Sequence, residues 1–186
     1  MFYNRDNFKK QGKKNMSSKQ KSNVVLIGMS GAGKSTLGVL LAKAMGKSFV
    51  DTDLLIQQRE GKLLQQIIDE QGSEYFMALE EEVIASLEAK NCVIATGGSV
   101  VYSERGMAHL KERGFTVYLQ VDDEELLGRL SNIRTRGIVF RGSGDFRAVY
   151  EERKPLYEAY ADLTVNCSQS TVEESVEKIL NAIEKA

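Results

Sequence analysis

The segment Gly28–Ser35 reads GMSGAGKS and matches the pattern G-x-x-x-x-G-K-S, which is typical of loops that hold nucleotide phosphates. Its glycines allow the backbone to pass close to phosphate groups with its N–H groups pointing inward. Lys34 would then reach the β- and γ-phosphates, and the Ser35 hydroxyl would ligate Mg²⁺. The sequence therefore predicts a phosphate-binding loop, which by itself does not distinguish a kinase from a GTPase switch or a motor.

The segments on either side of this loop fit the same interpretation. The apolar run Val24–Ile27 predicts a strand before the loop, and Lys34–Met45 has apolar residues at helical spacing followed by Gly46 as a C-cap. The helix N-terminus would add partial positive charge where the phosphates bind. We expect the nucleotide to contact Gly28, Gly31, Ala32, Gly33, Lys34, Ser35 and Thr36.

A second group of chemically capable residues, Asp51-Thr52-Asp53, follows the next predicted strand. Carboxylates at positions i and i+2 leave the end of a strand on the same side. One could support Mg²⁺, and the other could accept a hydroxyl proton and orient that oxygen toward the γ-phosphate. The alternative is that Asp53 caps a helix beginning at Leu54. The spacing alone does not decide between these two roles.

The pattern of the whole chain predicts an α/β fold. Near-continuous apolar runs alternate with helix-patterned segments, which is typical of a parallel sheet covered on both faces. The five runs are Val24–Ile27, Phe49–Val50, Cys92–Ala95, Phe115–Val121 and Leu163–Val165. Besides Lys34–Met45, the clearest helical patterns are Glu74–Lys90 and Ser170–Ala186, and Pro155 is expected near the start of another helix.

Composition favours one globular domain over residues 23–186 of the 186-residue chain. Residues 1–22 contain seven Lys and Arg against one acid, and we expect this basic segment to be a disordered extension. No apolar run approaches the roughly 20 residues of a membrane helix. Cys92 and Cys167 are expected as reduced thiols of a cytoplasmic protein. We expect a monomer that acts on small molecules, without nucleic-acid or membrane partners.

The motifs GMSGAGKST, DTD, ATGGS and ERKPLY, in this order, resemble those of the shikimate kinase family. The resemblance extends from about Asn23 to the C-terminus. It implies a three-layer α/β/α P-loop fold like that of nucleoside monophosphate kinases, with a five-stranded parallel sheet, a helical substrate-binding region and a mobile lid at about residues 133–145. It also implies ATP and Mg²⁺ as cofactors, and phosphorylation of a hydroxyl group of shikimate.

Individual roles follow from the same resemblance. Ser35 and Asp51 match the family's Mg²⁺ positions, and Asp53 matches the carboxylate that binds the substrate hydroxyls and is the proposed base. Lys34, Asp53 and Arg136 are the expected catalytic residues, with the lid residue Arg136 also reaching the phosphates. The expected substrate contacts are Asp53, the backbone of Gly97 and Gly98, and Arg153, which matches the arginine that binds the substrate carboxylate.

Three departures from the family pattern concern the acceptor side or the lid. Met77 stands where the family carries a second carboxylate-binding arginine, which either weakens shikimate binding or indicates another acceptor, such as a sugar acid or polyol. Ser99 replaces the third glycine of the turn and either restricts the backbone or adds a hydroxyl contact. The lid reads Arg136-Gly137-Ile138-Val139 where Arg-Pro-Leu-Leu is usual. A third hypothesis, a nucleotide-binding regulatory protein, does not explain Asp51, Asp53 and Arg153.

Overall fold

A five-stranded parallel sheet forms the centre of the protein, in a computed structural model that describes residues 21–131 and 145–186. The strands are β1 (Asn23–Ile27), β2 (Ser48–Asp51), β3 (Cys92–Ala95), β4 (Gly114–Gln120) and β5 (Leu163–Asn166), in the order β2-β3-β1-β4-β5. Every residue of β1 and β3 is buried, which is why both read as apolar runs. The predicted parallel α/β sheet is confirmed.

Seven α-helices connect and cover these strands within the described residues. They are α1 (Lys34–Met45), α2 (Thr52–Glu60), α3 (Leu64–Ala85), α4 (Glu104–Arg113), α5 (Asp123–Ser131), α6 (Phe146–Tyr160) and α7 (Val172–Lys185). Helix α1 packs against α7, and α3 packs against both α2 and α4. The main core surrounds the sheet, while a second apolar cluster joins α2 to α3.

The predicted helix Glu74–Lys90 is wrong at both ends. Helix α3 begins at Leu64 and bends at Gly72, whose backbone is non-helical with φ 85° and ψ 165°. It ends at Ala85, because the Leu87 N–H donates to the carbonyl of Ile84 in a tighter turn. The apolar spacing continues past the helix end because the turn residues also pack against the core.

Two further helix predictions have different outcomes. Helix α1 has the predicted bounds and ends at Gly46, which adopts a left-handed conformation with φ 64°. The interpretation of Pro155 is wrong, because α6 begins at Phe146 under an Asp145 cap and Pro155 lies in the interior of the helix. Proline there removes one intrahelical donor.

The basic segment at the N-terminus lies mostly outside the described residues, which begin at Lys21. Lys21 donates to Asp162 at 2.9 Å, and the Ser22 N–H donates to the Arg113 carbonyl. These two contacts attach residues 21 and 22, directly before β1, to the rest of the domain. Among the described helices, none is long and apolar enough to cross a membrane.

Gly114 provides a test of how closely β4 packs against its neighbours. A Cβ at this position would lie 2.5 Å from Cγ2 of Val25 and 2.8 Å from the backbone oxygen of Leu110. Gly114→Ala should therefore lower the free energy of unfolding in urea by about 1–3 kcal/mol, since the core would be overpacked. Gly128→Ala in α5 is the control: a Cβ there meets open space, so this change should stabilise by up to about 1 kcal/mol. Equal effects of the two substitutions would contradict this account.

Candidate active site

Two glycines determine the conformation of the loop between β1 and α1. Gly28 has φ 144°, and a Cβ there would lie 2.7 Å from the backbone oxygen of Leu119. Gly33 has φ 91° and immediately precedes α1. Both positions are therefore restricted to glycine, Gly28 by space as well as by conformation. The loop can curve tightly around an anion at the N-terminus of α1.

Lys34, the first residue of α1, is only 7% exposed. Its Nζ donates to the carbonyl oxygens of Gly28 at 2.7 Å and Met29 at 2.8 Å. Ser35 and Thr36 follow in the first turn of α1, and Ser35 lines the adjoining cavity. Ala32 is buried, with its N–H donating to the Met29 carbonyl. The ammonium group and the first turn of the helix thus converge on one side of the loop.

The two aspartates at the junction of β2 and α2 have different positions. Asp51 is the N-cap of α2, and its Oδ1 accepts from the N–H groups of Asp53 at 3.0 Å and Leu54 at 3.4 Å. The hypothesis that Asp53 caps a helix beginning at Leu54 is therefore wrong, because the helix begins at Thr52. Asp53 lies in the first turn of α2 and lines the cavity, as Asp51 does.

A cavity of about 370 Å³ lies between the loop, α2, α3 and the turn after β3. Its lining combines the polar residues predicted from the motifs with several apolar side chains. The lining residues are Ser30, Lys34, Ser35, Asp51, Asp53, Leu54, Gln57, Leu63, Leu64, Phe76, Thr96, Gly97, Gly98 and Ser99. The structure thus brings together the predicted phosphate loop, both aspartates and the Gly-Gly turn.

The Gly97–Ser99 turn is held by hydrogen bonds from two directions. The Gly97 N–H donates to the Thr52 hydroxyl at 3.2 Å, which ties the end of β3 to the end of β2. The Tyr157 hydroxyl donates to the Gly98 carbonyl at 2.5 Å. Sequence reasoning missed both partners, although Thr52 lies inside DTD and Tyr157 inside ERKPLY.

Arg153 is completely buried behind this turn. Its Nε donates to the Tyr102 hydroxyl at 3.2 Å, and its guanidinium lies 5.0 Å from the centre of the Tyr102 ring. A Cβ at Gly98 would lie 3.3 Å from Nη1 of Arg153, so the guanidinium packs directly against the turn. The structure therefore places the positive charge of Arg153 beside the Gly97–Ser99 turn, which lines the cavity.

Glu80 is a buried acid that the sequence reasoning did not identify as part of the site. It is 2% exposed, and its Oε2 accepts from the Ser99 hydroxyl at 2.6 Å. Burial raises the pKa of Glu80 to about 7. The hydrogen bond from Ser99 and the charges of Arg153 and Lys34 oppose this rise, whereas the charge of Asp53 adds to it. A signal was present in the sequence, because Glu80 follows Phe76 by four residues on the apolar stripe of α3.

Two of the departures from the family pattern now have a structural description. Ser99 has φ −87° and ψ −9°, a conformation that any residue adopts, so its side chain introduces no backbone strain. Its hydroxyl donates to Glu80, although the residue also lines the cavity. Met77 packs against the apolar cluster between α2 and α3 and does not appear among the residues that line the cavity.

The predicted lid at residues 133–145, including Arg136, lies outside the described residues except for Asp145, which caps α6. A different arginine reaches the phosphate loop within the described part of the chain. Arg129 donates from Nη1 to the Gly31 carbonyl at 3.2 Å and from Nη2 to Glu125. Glu125 also accepts from the backbone N–H of Gln169 at 2.8 Å. These contacts join α5 and the segment after β5 to the loop.

Comparisons with known proteins agree with this arrangement. The sequence profile of the family described as shikimate kinase matches residues 30–184. A shikimate kinase of Caldanaerobacter subterraneus is 35% identical over 163 residues, which cover 86% of this chain and 95% of the relative. These alignments span almost the whole of the described domain.

Solved structures give the same result. The shikimate kinase of Acinetobacter baumannii in complex with shikimate has a TM-score of 0.81 at 30% identity, covering 90% of this chain and 95% of the other. The enzyme of Aquifex aeolicus has a TM-score of 0.74 at 35% identity, covering 87% and 96%. By its match to the family profile and to these relatives, this chain belongs to the shikimate kinase family of ATP-dependent kinases.

Proposed function

We propose that this protein transfers the γ-phosphoryl group of ATP to a ring hydroxyl of shikimate, giving ADP and shikimate 3-phosphate. The observation that carries the proposal is one shared cavity. The phosphate-binding Lys34, the carboxylate of Asp53 and the Gly97–Ser99 turn all line it, and Arg153 lies directly behind. Donor and acceptor groups can therefore meet without a large displacement of either.

The proposed chemistry assigns separate tasks to the two ends of the cavity. Lys34 and the N-terminus of α1 stabilise the negative charge on the transferring phosphoryl group. Asp53 binds the acceptor hydroxyl, orients its oxygen toward the γ-phosphate and accepts its proton. The positive charge of Arg153 favours an acceptor that carries a carboxylate. Arg136 remains a proposed phosphate contact from the lid.

Mg²⁺ is part of the proposal because the oxygen donors suit it. Ser35 and Asp51 both line the cavity beside the phosphate loop, and hydroxyl and carboxylate oxygens are hard ligands of the kind that Mg²⁺ prefers. The described residues contain no cluster of three or more His, Cys, Asp or Glu side chains that would hold a metal on their own. The ion would therefore be held jointly by the nucleotide, Ser35 and Asp51, and it would neutralise phosphate charge.

Met77 supports a second candidate acceptor class, a sugar acid or polyol, because no arginine stands at that position. The test is acceptor-dependent ADP release over a panel of hydroxy acids, sugar acids and polyols, with Mg²⁺ and ATP. Turnover of shikimate at ordinary kinase efficiency supports the main proposal. Efficient turnover of a different acceptor instead supports the second candidate. ATP binding without acceptor-stimulated turnover would indicate the regulatory hypothesis and overturn both.

Met77→Arg tests whether the cavity lacks a necessary cation. Met77 is partly buried against the apolar cluster of α2 and α3, so an arginine there would lose hydration unless its guanidinium reached the acceptor or the solvent. If shikimate is the natural acceptor, the substitution should change kcat/KM for shikimate by less than about threefold. A rise of about tenfold or more, the worth of one charge-assisted hydrogen bond, would point to another natural acceptor. Met77→Leu is the volume-matched control.

Glu80→Gln tests the charge of the buried acid. The pKa of Glu80 is raised to about 7, so the folded state favours the neutral carboxyl group. The stability that this preference provides is present at low pH and is lost as the pH rises through 7. Between pH 4.5 and 7.5, the free energy of unfolding of Glu80→Gln should therefore rise by about 2–4 kcal/mol relative to that of the wild type. Urea denaturation at several pH values measures this difference.

Glu81→Gln is the matched control for this experiment. Glu81 also accepts a 2.6 Å hydrogen bond from a serine, Ser103, but its side chain is 36% exposed. The pH-dependent rise in the free energy of unfolding, relative to the wild type, should be larger for Glu80→Gln than for Glu81→Gln. A difference between Glu80→Gln and the wild type that stays constant across this pH range would contradict the buried charge.

A further inference from the structure

A buried hydroxyl group, that of Tyr157, contacts both the phosphate loop and the Gly97–Ser99 turn. Tyr157 is completely buried on α6, and its hydroxyl donates to the Gly98 carbonyl at 2.5 Å. The same oxygen lies 3.7 Å from Sδ of Met29 in the phosphate loop. The Tyr157 ring stacks on Tyr118 of β4, with ring centroids 5.1 Å apart and an angle of 19° between the planes. The stack against the sheet therefore holds the hydroxyl at the junction of the two segments.

The turn and the phosphate loop also pack directly against each other at Gly98. A Cβ at this position would lie 3.0 Å from Oγ of Ser30 and 3.2 Å from the Ser30 backbone nitrogen. In the loop, the Met29 carbonyl accepts from Nζ of Lys34 at 2.8 Å. Ser30, Lys34 and Ser99 all line the cavity. A shift of the turn against the loop would therefore change the distance between the two sets of groups that line the cavity.

The hydrogen bond from Tyr157 also fixes the direction of the peptide group between Gly98 and Ser99. In a planar trans peptide, the C=O and N–H groups point in opposite directions. Because the Gly98 carbonyl is directed at the Tyr157 hydroxyl, the Ser99 N–H points away from that hydroxyl. Tyr157 thus determines which way a backbone donor of the turn faces.

The Tyr157 hydroxyl can act as a hydrogen-bond donor but not as a general base. Burial raises the pKa of Tyr157, although the charge of Arg153 and a hydrogen bond with it act in the opposite direction. The hydroxyl therefore keeps its proton near neutral pH. Any effect of this group on the reaction must come from the positions of the segments that it contacts.

We propose that Tyr157 is a positioning residue, whose hydroxyl sets the Gly97–Ser99 turn against the phosphate loop so that an acceptor bound at the turn lies within reach of the γ-phosphoryl group. This inference rests on the proposed function, since it concerns phosphoryl transfer within the same cavity. The rate of such a transfer depends steeply on geometry, and a displacement of about 1 Å can cost about a hundredfold. Tyr157 acts through the turn, because its own side chain is completely buried.

Tyr157→Phe tests this role by removing one oxygen atom while keeping the stacked ring. With the acceptor that the wild type turns over best, kcat should fall about tenfold or more, because the Gly98 carbonyl loses its donor and the turn can move. KM for ATP should stay within about twofold, since Lys34 and the glycines of the phosphate loop are unchanged. The Tm should fall by about 3–6 °C, so kcat is measured well below the Tm and per ATP-binding site.

Tyr150→Phe is the matched control. Tyr150 is also buried on α6, two turns before Tyr157. Burial raises the pKa of Tyr150, and the charges of Asp122 and Asp123 add to this rise, so the hydroxyl lies near the start of α5. The control therefore removes the same atom from the same helix at a different place, and kcat per ATP-binding site should not change.

The outcomes that overturn the positioning role are distinct from those that overturn the proposed function. If the wild type turns over an acceptor and Tyr157→Phe keeps kcat within about twofold while the Tm falls, the hydroxyl only satisfies a buried carbonyl, and the positioning role is wrong. A rise in KM for ATP at unchanged kcat would also overturn it, because the hydroxyl would then act on the phosphate loop alone. Equal losses of kcat in Tyr157→Phe and Tyr150→Phe would do the same. Absence of any acceptor turnover by the wild type overturns both proposals.

Discussion

The acceptor half of the cavity depends on how closely the chain at Gly97 approaches two carboxylates. A Cβ at this position would overlap Glu80 and would lie 3.0 Å from Oδ1 of Asp53. The Gly97 N–H is also bound to the Thr52 hydroxyl, which fixes the turn against the start of α2. Any side chain at position 97 would have to displace the carboxyl group of Glu80 and crowd that of Asp53. The site exists in this form because the strand ends of a parallel sheet meet at one edge and a glycine lets them touch.

This close approach creates a problem of charge, which the surrounding residues solve in part. The Glu80 carboxyl group is buried, and the charge of Asp53 adds to the cost of ionising it. Lys34 and Arg153 supply positive charge nearby, and the Ser99 hydroxyl donates to Glu80. The serine in place of a third glycine therefore has a physical reason in this chain: it provides a donor to a buried acid without straining the backbone.

The sequence predicted the parts of the site that are local in the chain and missed those that depend on packing. The phosphate loop, its strand and its helix are contiguous in the sequence, so the spacing of residues in the motif was enough to predict them. The aspartate pair was found, but the division of roles was not, because it depends on α2 beginning at Thr52 rather than Leu54. Helix α3 was misplaced because Gly72 bends it and turn residues continue the apolar spacing. Glu80 was missed because an acid in a charged stretch reads as solvent-exposed until its neighbours are known.

The difference between parts of the site that are local in the chain and parts that depend on packing also explains where this chain departs from its family pattern. The donor half of the cavity is built by one continuous segment, in which Gly28 and Gly33 are restricted by backbone conformation and Lys34 by its contacts. The acceptor half is assembled from α2, α3, the turn after β3 and α6, whose side chains meet only through packing. The hydrogen bond from the Ser99 hydroxyl to Glu80 is one such contact, between the turn after β3 and α3. Acceptor specificity can therefore vary through α2 and α3 while the chemistry at the phosphate loop stays the same.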